Sequence, residues 1–154
     1  MTAAGSRILG ERFVDDAFRL ADQYFPQQKL FINDYNTEMP EKRADYLSLV
    51  RSLKARNVPI DGVGHQAHVD VARPVQWLED SIKAVEKLDP SLLQAITELD
   101  VNASTENQGA DVSNGNLDPY WPAFENDEDA GAEVGYYYRD LFAMVRRSPA
   151  RWTR

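Results

Sequence analysis

Two carboxylates at the end of an apolar run are the residues of this chain that are best placed to do chemistry. Glu98 and Asp100 close the stretch Leu93 to Val101, which reads as a buried strand. Side chains two positions apart in a strand project to the same side, so both acids would face one surface. The carboxyl ends of parallel strands form the mouth of a site, which makes Glu98 the first catalytic candidate. On pattern alone, an ordinary capping or solvated acid pair stays an open alternative.

Two histidines follow the preceding apolar stretch, Val58 to Val63, and form the second candidate group. In an extended segment Gln66 and His68 share a face, whereas His65 points away from it. The simplest alternative is a histidine that is only hydrogen-bonded beside the core. Another alternative is a metal-dependent hydrolase, because imidazoles and carboxylates suit zinc or manganese. Its candidate ligands do not follow a recognised spacing; they are His65, His68, Asp70, Glu98 and Asp100.

A polar cluster follows the first apolar stretch of the chain, Lys29 to Asn33. The cluster runs from Asp34 to Glu38 and includes Tyr35 and Asn36. A short apolar run that ends in such a cluster predicts a strand followed by a functional loop. A simple turn is the alternative, since Asn and Asp prefer turns.

The elements that must position these residues alternate along the chain. Apolar residues at helical spacing predict a helix before the first strand and one after each strand; the four are Arg12 to Phe25, Pro40 to about Arg56, Pro74 to Leu88 and Ala132 to Arg146. Strand plus helix repeats at a period of a little over 30 residues, which is typical of right-handed crossover units and predicts an α/β fold with three βα units. A closed (β/α)8 barrel needs about 250 residues, so the units form either an open sheet or part of a larger barrel.

Bulk properties restrict the possible partners. The net charge of -8 and the lack of a clustered basic surface argue against nucleic acid. No run of 18 apolar residues predicts a membrane span, and the first residues do not resemble a secretory signal. The chain has no cysteine, which rules out disulfides and thiolate chemistry and leaves the compartment open. The acidic stretch Asn102 to Gly131 is long for a connection, so it predicts a binding loop or a mobile segment.

Three ordered motifs give a resemblance to a known family. KLFINDYNTE, VPIDGVGHQAHV and AITELDV resemble the fifth, sixth and seventh strands of the family-10 glycoside hydrolases, endo-1,4-β-xylanases with a (β/α)8 TIM-barrel fold. YYYRDLFAMV is similar to the helix after the seventh strand. The resemblance implies that residues 1–154 are the C-terminal part of a catalytic domain, a partial barrel in which strands one to four and strand eight have no counterpart.

The resemblance also implies a reaction and roles for single residues. The family's retaining enzymes hydrolyse β-1,4-xylosidic bonds in xylan or xylo-oligosaccharides, and the resemblance implies no cofactor and no metal. It assigns the nucleophile to Glu98 and its partners to His68 and Asp100. Gln66, from the family's GxQxH pattern, and Tyr35 and Asn36, on the aglycone side, are implied substrate contacts, the tyrosine as a ring that stacks on sugar. His65 stands where the family usually has an aromatic or apolar residue.

The general acid has no counterpart, because the family takes it from a WDVVNE-like motif that ends the fourth strand. Asp34 or Glu38 could replace it only from a strand about 10 Å away from the nucleophile strand, a separation that suits an inverting enzyme at best. We therefore expect weak activity or none from the chain alone. A carbohydrate-binding or inert remnant stays an alternative, and unpaired sheet edges predict self-association. Of the tryptophans, Trp121 is the predicted sugar contact and Trp77 a predicted core residue; the run from Glu125 to Asp129 is a predicted solvated face.

Overall fold

The computed structural model of the protein describes residues 12–103 and 127–153. Trp121, Glu125 and most of the acidic stretch lie outside these ranges. No helix within them is long and apolar enough to cross a membrane. The elements in chain order are α1 Phe13–Tyr24, β1 Phe31–Asp34, α2 Pro40–Ala55, β2 Gly62–His65, β3 His68–Asp70, α3 Val75–Leu88, β4 Leu93–Ile96, β5 Asp100–Asn102, α4 Asp127–Arg147 and β6 Arg151–Trp152.

The main sheet is parallel and has the order β1-β2-β4-β6. Helices α2, α3 and α4 follow successive strands of this sheet, which confirms the predicted α/β class with a preceding helix and three βα units. The carboxyl ends of its first three strands are level, because Asp34 pairs with His65 and His65 with Ile96. The fourth strand, Arg151–Trp152, was not predicted, since two residues are too few to show a strand pattern.

Two predicted strands differ from the observed ones. The stretch Val58 to Val63 becomes a strand only at Gly62, because Asn57 has a left-handed backbone (φ 53°) and the amide of Val58 still donates to the carbonyl of Leu53 at 3.0 Å. The stretch Leu93 to Val101 is interrupted after Ile96 and resumes at Asp100. The last helix begins at Asp127, earlier than the predicted start at Ala132, so the predicted loop is shorter at that end.

Two apolar clusters fix the layers. One lies where α2 meets the sheet and contains Tyr46, Val50, Leu53, Val58, Ile60, Val63, Val85 and Leu92. The other joins α3, α4 and β3 and contains Ala67, Val69, Leu78, Ile82, Tyr137, Leu141, Met144 and Ala150. Trp77 belongs to neither cluster and is only half-buried, so its prediction as a core residue was wrong.

Candidate active site

A bend at the carboxyl end of the sheet builds the site. Ala67 takes a left-handed backbone (φ 62°), which ends β2 and starts β3 in a new direction. The segment that follows β4 runs alongside this bend. The backbone amide of Glu98 donates to the carbonyl of Gln66 at 3.1 Å, and His68 pairs with Asp100 in the β3–β5 ladder. Bends of this kind are frequent beside active sites because they redirect side chains. Here the bend places His68 next to Glu98.

The Glu98 carboxylate is held by hydrogen bonds at both oxygens. Asn33 Nδ2 donates to Oε1 at 2.8 Å, and His68 Nε2 lies 3.3 Å from Oε2. The Thr97 hydroxyl donates to Asn33 Oδ1 at 2.8 Å, which fixes the orientation of that amide. The side chain of Glu98 is still 45% exposed, so a ligand can reach it. A fixed and accessible carboxylate is what a nucleophile requires.

His68 lies between two carboxylates. Its Nδ1 is 2.7 Å from Asp100 Oδ2, while its Nε2 faces Glu98. Burial lowers the pKa of His68, but hydrogen bonds and charges of Asp100 and Glu98 outweigh burial, so the pKa is raised above 6.5. Ionised carboxylates only accept hydrogen bonds, so both contacts are made when both ring nitrogens carry protons. The structure therefore brings Glu98, His68 and Asp100 together, with the imidazole between the two carboxyl groups.

Asn33 is a site residue that the sequence analysis did not single out. It lies on β1, and its partner Glu98 follows β4, with β2 between them. Gly64 is the β2 residue that pairs with Asn33, and a Cβ atom there would lie 2.5 Å from Asn33 Oδ1 and 3.0 Å from Thr97 Cγ2. The missing side chain at position 64 lets Asn33 reach across β2 to the carboxylate.

The loop after β1 lies at the same end of the sheet. The ring of Tyr35 is 42% exposed, and Lys42 Nζ lies 4.9 Å from its centroid. Asn36 has a left-handed backbone (φ 54°), and its Oδ1 lies 3.4 Å from Arg73 Nη1. Gln66 is half-buried, and its backbone N–H donates to the backbone carbonyl of Asp34 at 3.1 Å. Tyr35 is thus an exposed aromatic residue of this loop, with Lys42 over one face of its ring.

Neither carboxylate of this loop is placed to act as a proton donor. Glu38 is buried, with 1% of its surface exposed, and forms an ion pair with Arg73. Arg73 also lies 3.6 Å from the buried Asp70. Asp34 forms an ion pair with Lys42 at 2.7 Å. Because each of the two acids already has a cationic partner, the structure disfavours both as substitutes for the general acid.

His65 is separated from the other candidate metal ligands. It is fully buried, with its ring between Thr37 and Gln94, on the side of the strand away from Glu98. Burial lowers the pKa of His65 from 6.5 to about 4, so its ring is neutral at neutral pH. Within residues 12–103 and 127–153, no three His, Asp or Glu side chains are grouped to hold a metal ion. The ligand set of the metal-dependent alternative is therefore not assembled.

We expect the buried His65 to make the free energy of unfolding decrease as the pH falls. The pKa of His65 is about 4 in the folded chain, and in the unfolded chain it has the ordinary value of 6.5. The unfolded chain therefore binds more protons between these pH values. The contribution of His65 is complete above pH 6.5 and is lost as the pH falls to about 4, a loss of about 3 kcal/mol. Urea unfolding at a series of pH values, in the parent and in His65→Leu, measures this difference.

The raised pKa of His68 has the opposite sign. Its contribution is complete below pH 6.5 and is lost as the pH rises through its folded-state value. Below pH 6.5 the contribution of His68 does not change with pH, so the change in the parent-minus-variant difference between pH 4 and 6.5 reports on His65. A difference that does not change between pH 4 and 6.5 would contradict the prediction.

Comparison with known proteins extends these observations. Residues 2–151 match glycosyl hydrolase family 10. Endo-1,4-β-xylanase A from Halalkalibacterium halodurans is 36% identical over 140 residues, which cover 83% of this chain and 35% of that protein. A mutant structure in complex with xylotriose gives a TM-score of 0.81 at 30% identity and covers 99% of this chain and 44% of that chain. A thermostable mutant of a xylanase from Cellvibrio japonicus gives a TM-score of 0.77 at 27% identity, with 96% and 43% covered.

The chain spans about a third of the length of that curated relative and less than half of each of these solved structures. Along its own length the match is almost complete. The parallel sheet agrees with the barrel of these structures, and the chain belongs to glycosyl hydrolase family 10.

Proposed function

We propose that this chain is the part of a retaining endo-1,4-β-xylanase domain that carries the nucleophile and the aglycone side of the cleft. The observation that carries the proposal is the Glu98 carboxylate, held by Asn33 at 2.8 Å and by His68 at 3.3 Å and still open to solvent. Residues 1–154 correspond in this proposal to the C-terminal part of the catalytic domain. The matches to xylanases over 83% and 96% of the chain support the assignment.

In the proposed reaction, Glu98 attacks the anomeric carbon of a xylosyl unit. A bond forms between a carboxylate oxygen and that carbon while the glycosidic bond breaks, and the leaving oxygen must take a proton from a second carboxyl group about 5 to 5.5 Å away. Asn33 and His68 donate hydrogen bonds to the carboxylate, which fixes its orientation. Asp100 holds the imidazole by its other nitrogen.

The proposed substrate is xylan or a xylo-oligosaccharide. Tyr35 presents an exposed ring on which a sugar can stack, and Asn36 and Gln66 lie beside it as candidate polar contacts. A similar solved structure contains xylotriose, which supports a ligand of this class. The proposal includes no cofactor and no metal.

A covalent trap tests the role of Glu98. We expect 2,4-dinitrophenyl 2-deoxy-2-fluoro-β-xylobioside to transfer its fluoroxylobiosyl group to the Glu98 carboxylate and release dinitrophenolate, because this leaving group departs without a proton and the fluorine slows hydrolysis of the glycosyl ester. Peptide mapping by mass spectrometry locates the added sugar. Glu98→Gln should take up none, whereas Glu79→Gln, which changes a surface carboxylate of α3 paired with Lys83, should label like the parent. Labelling at any other carboxylate would reject the assignment.

A non-catalytic remnant that binds carbohydrate is the second candidate function. It is favoured by one observation, namely that Asp34 and Glu38 are both engaged by cations while the sequence contains no WDVVNE-like motif. Such a remnant would bind xylotriose in calorimetry without forming the covalent ester. The trap and the calorimetry together therefore separate the two functions.

We also propose that the isolated chain self-associates through its sheet edges. Among the described strands, β1 and β6 pair on one side only, and unpaired edges promote association. Sedimentation velocity should show dimers or larger species that increase with concentration. Phe142→Ser is the control, because it removes an exposed apolar side chain of α4 and leaves the strands unchanged. A monodisperse monomer with a sharp cooperative melt would contradict this proposal.

A further inference from the structure

A buried chain of hydrogen bonds lies behind the site, and no step of the proposed reaction uses it. The His65 network, as we define it, consists of Thr37, His65, Gln94, Ser81 and the carbonyl of Ile82. Thr37 Oγ1 is 2.7 Å from His65 Nδ1, and His65 Nε2 is 3.2 Å from Gln94 Oε1. Gln94 Nε2 donates to the Ile82 carbonyl at 3.1 Å, and Ser81 donates to the Thr37 carbonyl at 2.9 Å. All four side chains are within 1% of complete burial.

The partners determine the direction of every bond in the network. Gln94 uses its amide group as donor to Ile82, so its oxygen accepts from His65 Nε2. A neutral imidazole that donates through Nε2 accepts at Nδ1, and the Thr37 hydroxyl is the donor. Among the residues that the structure describes, the only charged or titratable side chain that packs against the His65 ring is Tyr46. The centroids of the two rings are 6.2 Å apart. The network is thus satisfied by an uncharged ring.

The His65 network joins the two sides of the candidate site. Thr37 belongs to the loop after β1 that presents Tyr35, and Gln94 lies on β4, whose chain continues to Glu98. His65 stands on β2 between them, and Ser81 ties the same loop to α3. We propose that His65 is a positioning residue that fixes the Tyr35 loop relative to the strand that carries Glu98, an inference that rests on the proposed function.

This role predicts effects that burial alone does not. If His65 only fills space, apolar side chains of similar size should preserve the site, since replacing all partners of a polar contact together leaves no donor unpaired. If it positions the loop, the same replacement should loosen Tyr35 and Asn36 and disturb the contacts of His68 while the protein stays folded. Small displacements of positioned groups weaken transition-state and ligand contacts strongly.

The deciding variant is Thr37→Val/His65→Leu/Gln94→Leu, compared with the parent chain by NMR. We expect an unfolding midpoint at least equal to that of the parent, about tenfold faster amide exchange at Tyr35 and Asn36, and a titration midpoint of His68 shifted towards 6.5. The chain has two histidines, so the signal of His68 is the one that remains in this variant. Parent-like exchange together with a parent-like His68 midpoint would overturn the inference.

Xylotriose binding by calorimetry is the third measurement, and we expect about tenfold weaker affinity in the variant. If the parent chain itself does not bind xylotriose, the proposed function fails, while the exchange rates and the His68 midpoint still decide the role of His65. If the triple variant does not fold, Thr37→Val decides instead, with Thr37→Ser as the control that keeps the hydroxyl. Faster exchange at Tyr35 and Asn36 in Thr37→Val supports the inference, and unchanged exchange overturns it.

Discussion

We expect the chain to release dinitrophenolate from 2,4-dinitrophenyl β-xylobioside in a single burst equal to the enzyme concentration, while it leaves xylan almost uncut. In the proposed reaction, the first step needs only the Glu98 carboxylate when the leaving group is a stable anion. Xylan needs a proton donor as well, which the proposal assigns to no residue of this chain, and we expect cleavage without one to be slower by about 10²–10⁴-fold. The second step needs the same group as a base to activate water, so turnover stalls after the burst. Stopped-flow absorbance measures the burst, and reducing-sugar release measures xylan cleavage.

Two controls make this result specific. Azide attacks the ester without a base, so it should restore turnover of the aryl xylobioside and produce a xylobiosyl azide. Glu98→Ala should lose the burst, because it removes the carboxylate that lies between Asn33 Nδ2 and His68 Nε2. Rapid xylan hydrolysis by the chain that disappears in Glu98→Ala would show that a proton donor lies within these 154 residues after all.

The second large effect concerns stability. Arg73 is the cation between the buried carboxylates Glu38 and Asp70, whose side chains are 1% and 7% exposed. Arg73→Met leaves these charges without their partner, and the loss of one member of a buried ion pair costs about 3–5 kcal/mol. Burial already raises the pKa of Asp70, and Arg73 opposes that rise. We therefore expect a large fall in the urea midpoint of unfolding at neutral pH.

A compensating variant separates the charge effect from lost packing. Arg73→Met/Glu38→Gln removes one of the uncompensated charges, so it should recover much of the stability that Arg73→Met loses. Arg139→Met is the matched control, since Arg139 and its partner Asp140 are both mostly exposed and the midpoint should not move. Equal midpoints for Arg73→Met and the parent would show that the buried pair is not coupled to folding.

The contacts that could be predicted from the sequence are those set by strand period and by adjacency of strands. Glu98 and Asp100 face one imidazole because they are two positions apart, and His68 meets them because its strand neighbours theirs. Asn33 could not be predicted in this way, since its strand and that of Glu98 are not neighbours. Its contact depends on the missing side chain of Gly64, which a pattern of apolar and polar residues does not show.

The burial of two residues in the loop after β1 could not be predicted from the sequence either. Thr37 and Glu38 belong to the polar cluster that predicts a functional loop, and both are buried. Glu38 meets Arg73, which lies 35 positions later in the chain, and Thr37 meets His65. Local sequence favours solvent for these side chains, and the tertiary partners reverse that preference.

Ala67, with its left-handed backbone, separates two parts of the structure. One is the main sheet, which we call the frame, and the other is the β3–β5 pair next to Glu98. Alanine takes this conformation at a cost of about 1 kcal/mol, which the surrounding pairing must offset. On one side of it, β2 and β4 lie in the interior of the main sheet; on the other, His68 contacts Asp100 and Glu98. Exposed side chains beyond this corner can therefore be exchanged while the frame stays the same, whereas the buried Val69 and Asp70 belong to the part of the chain that keeps it folded.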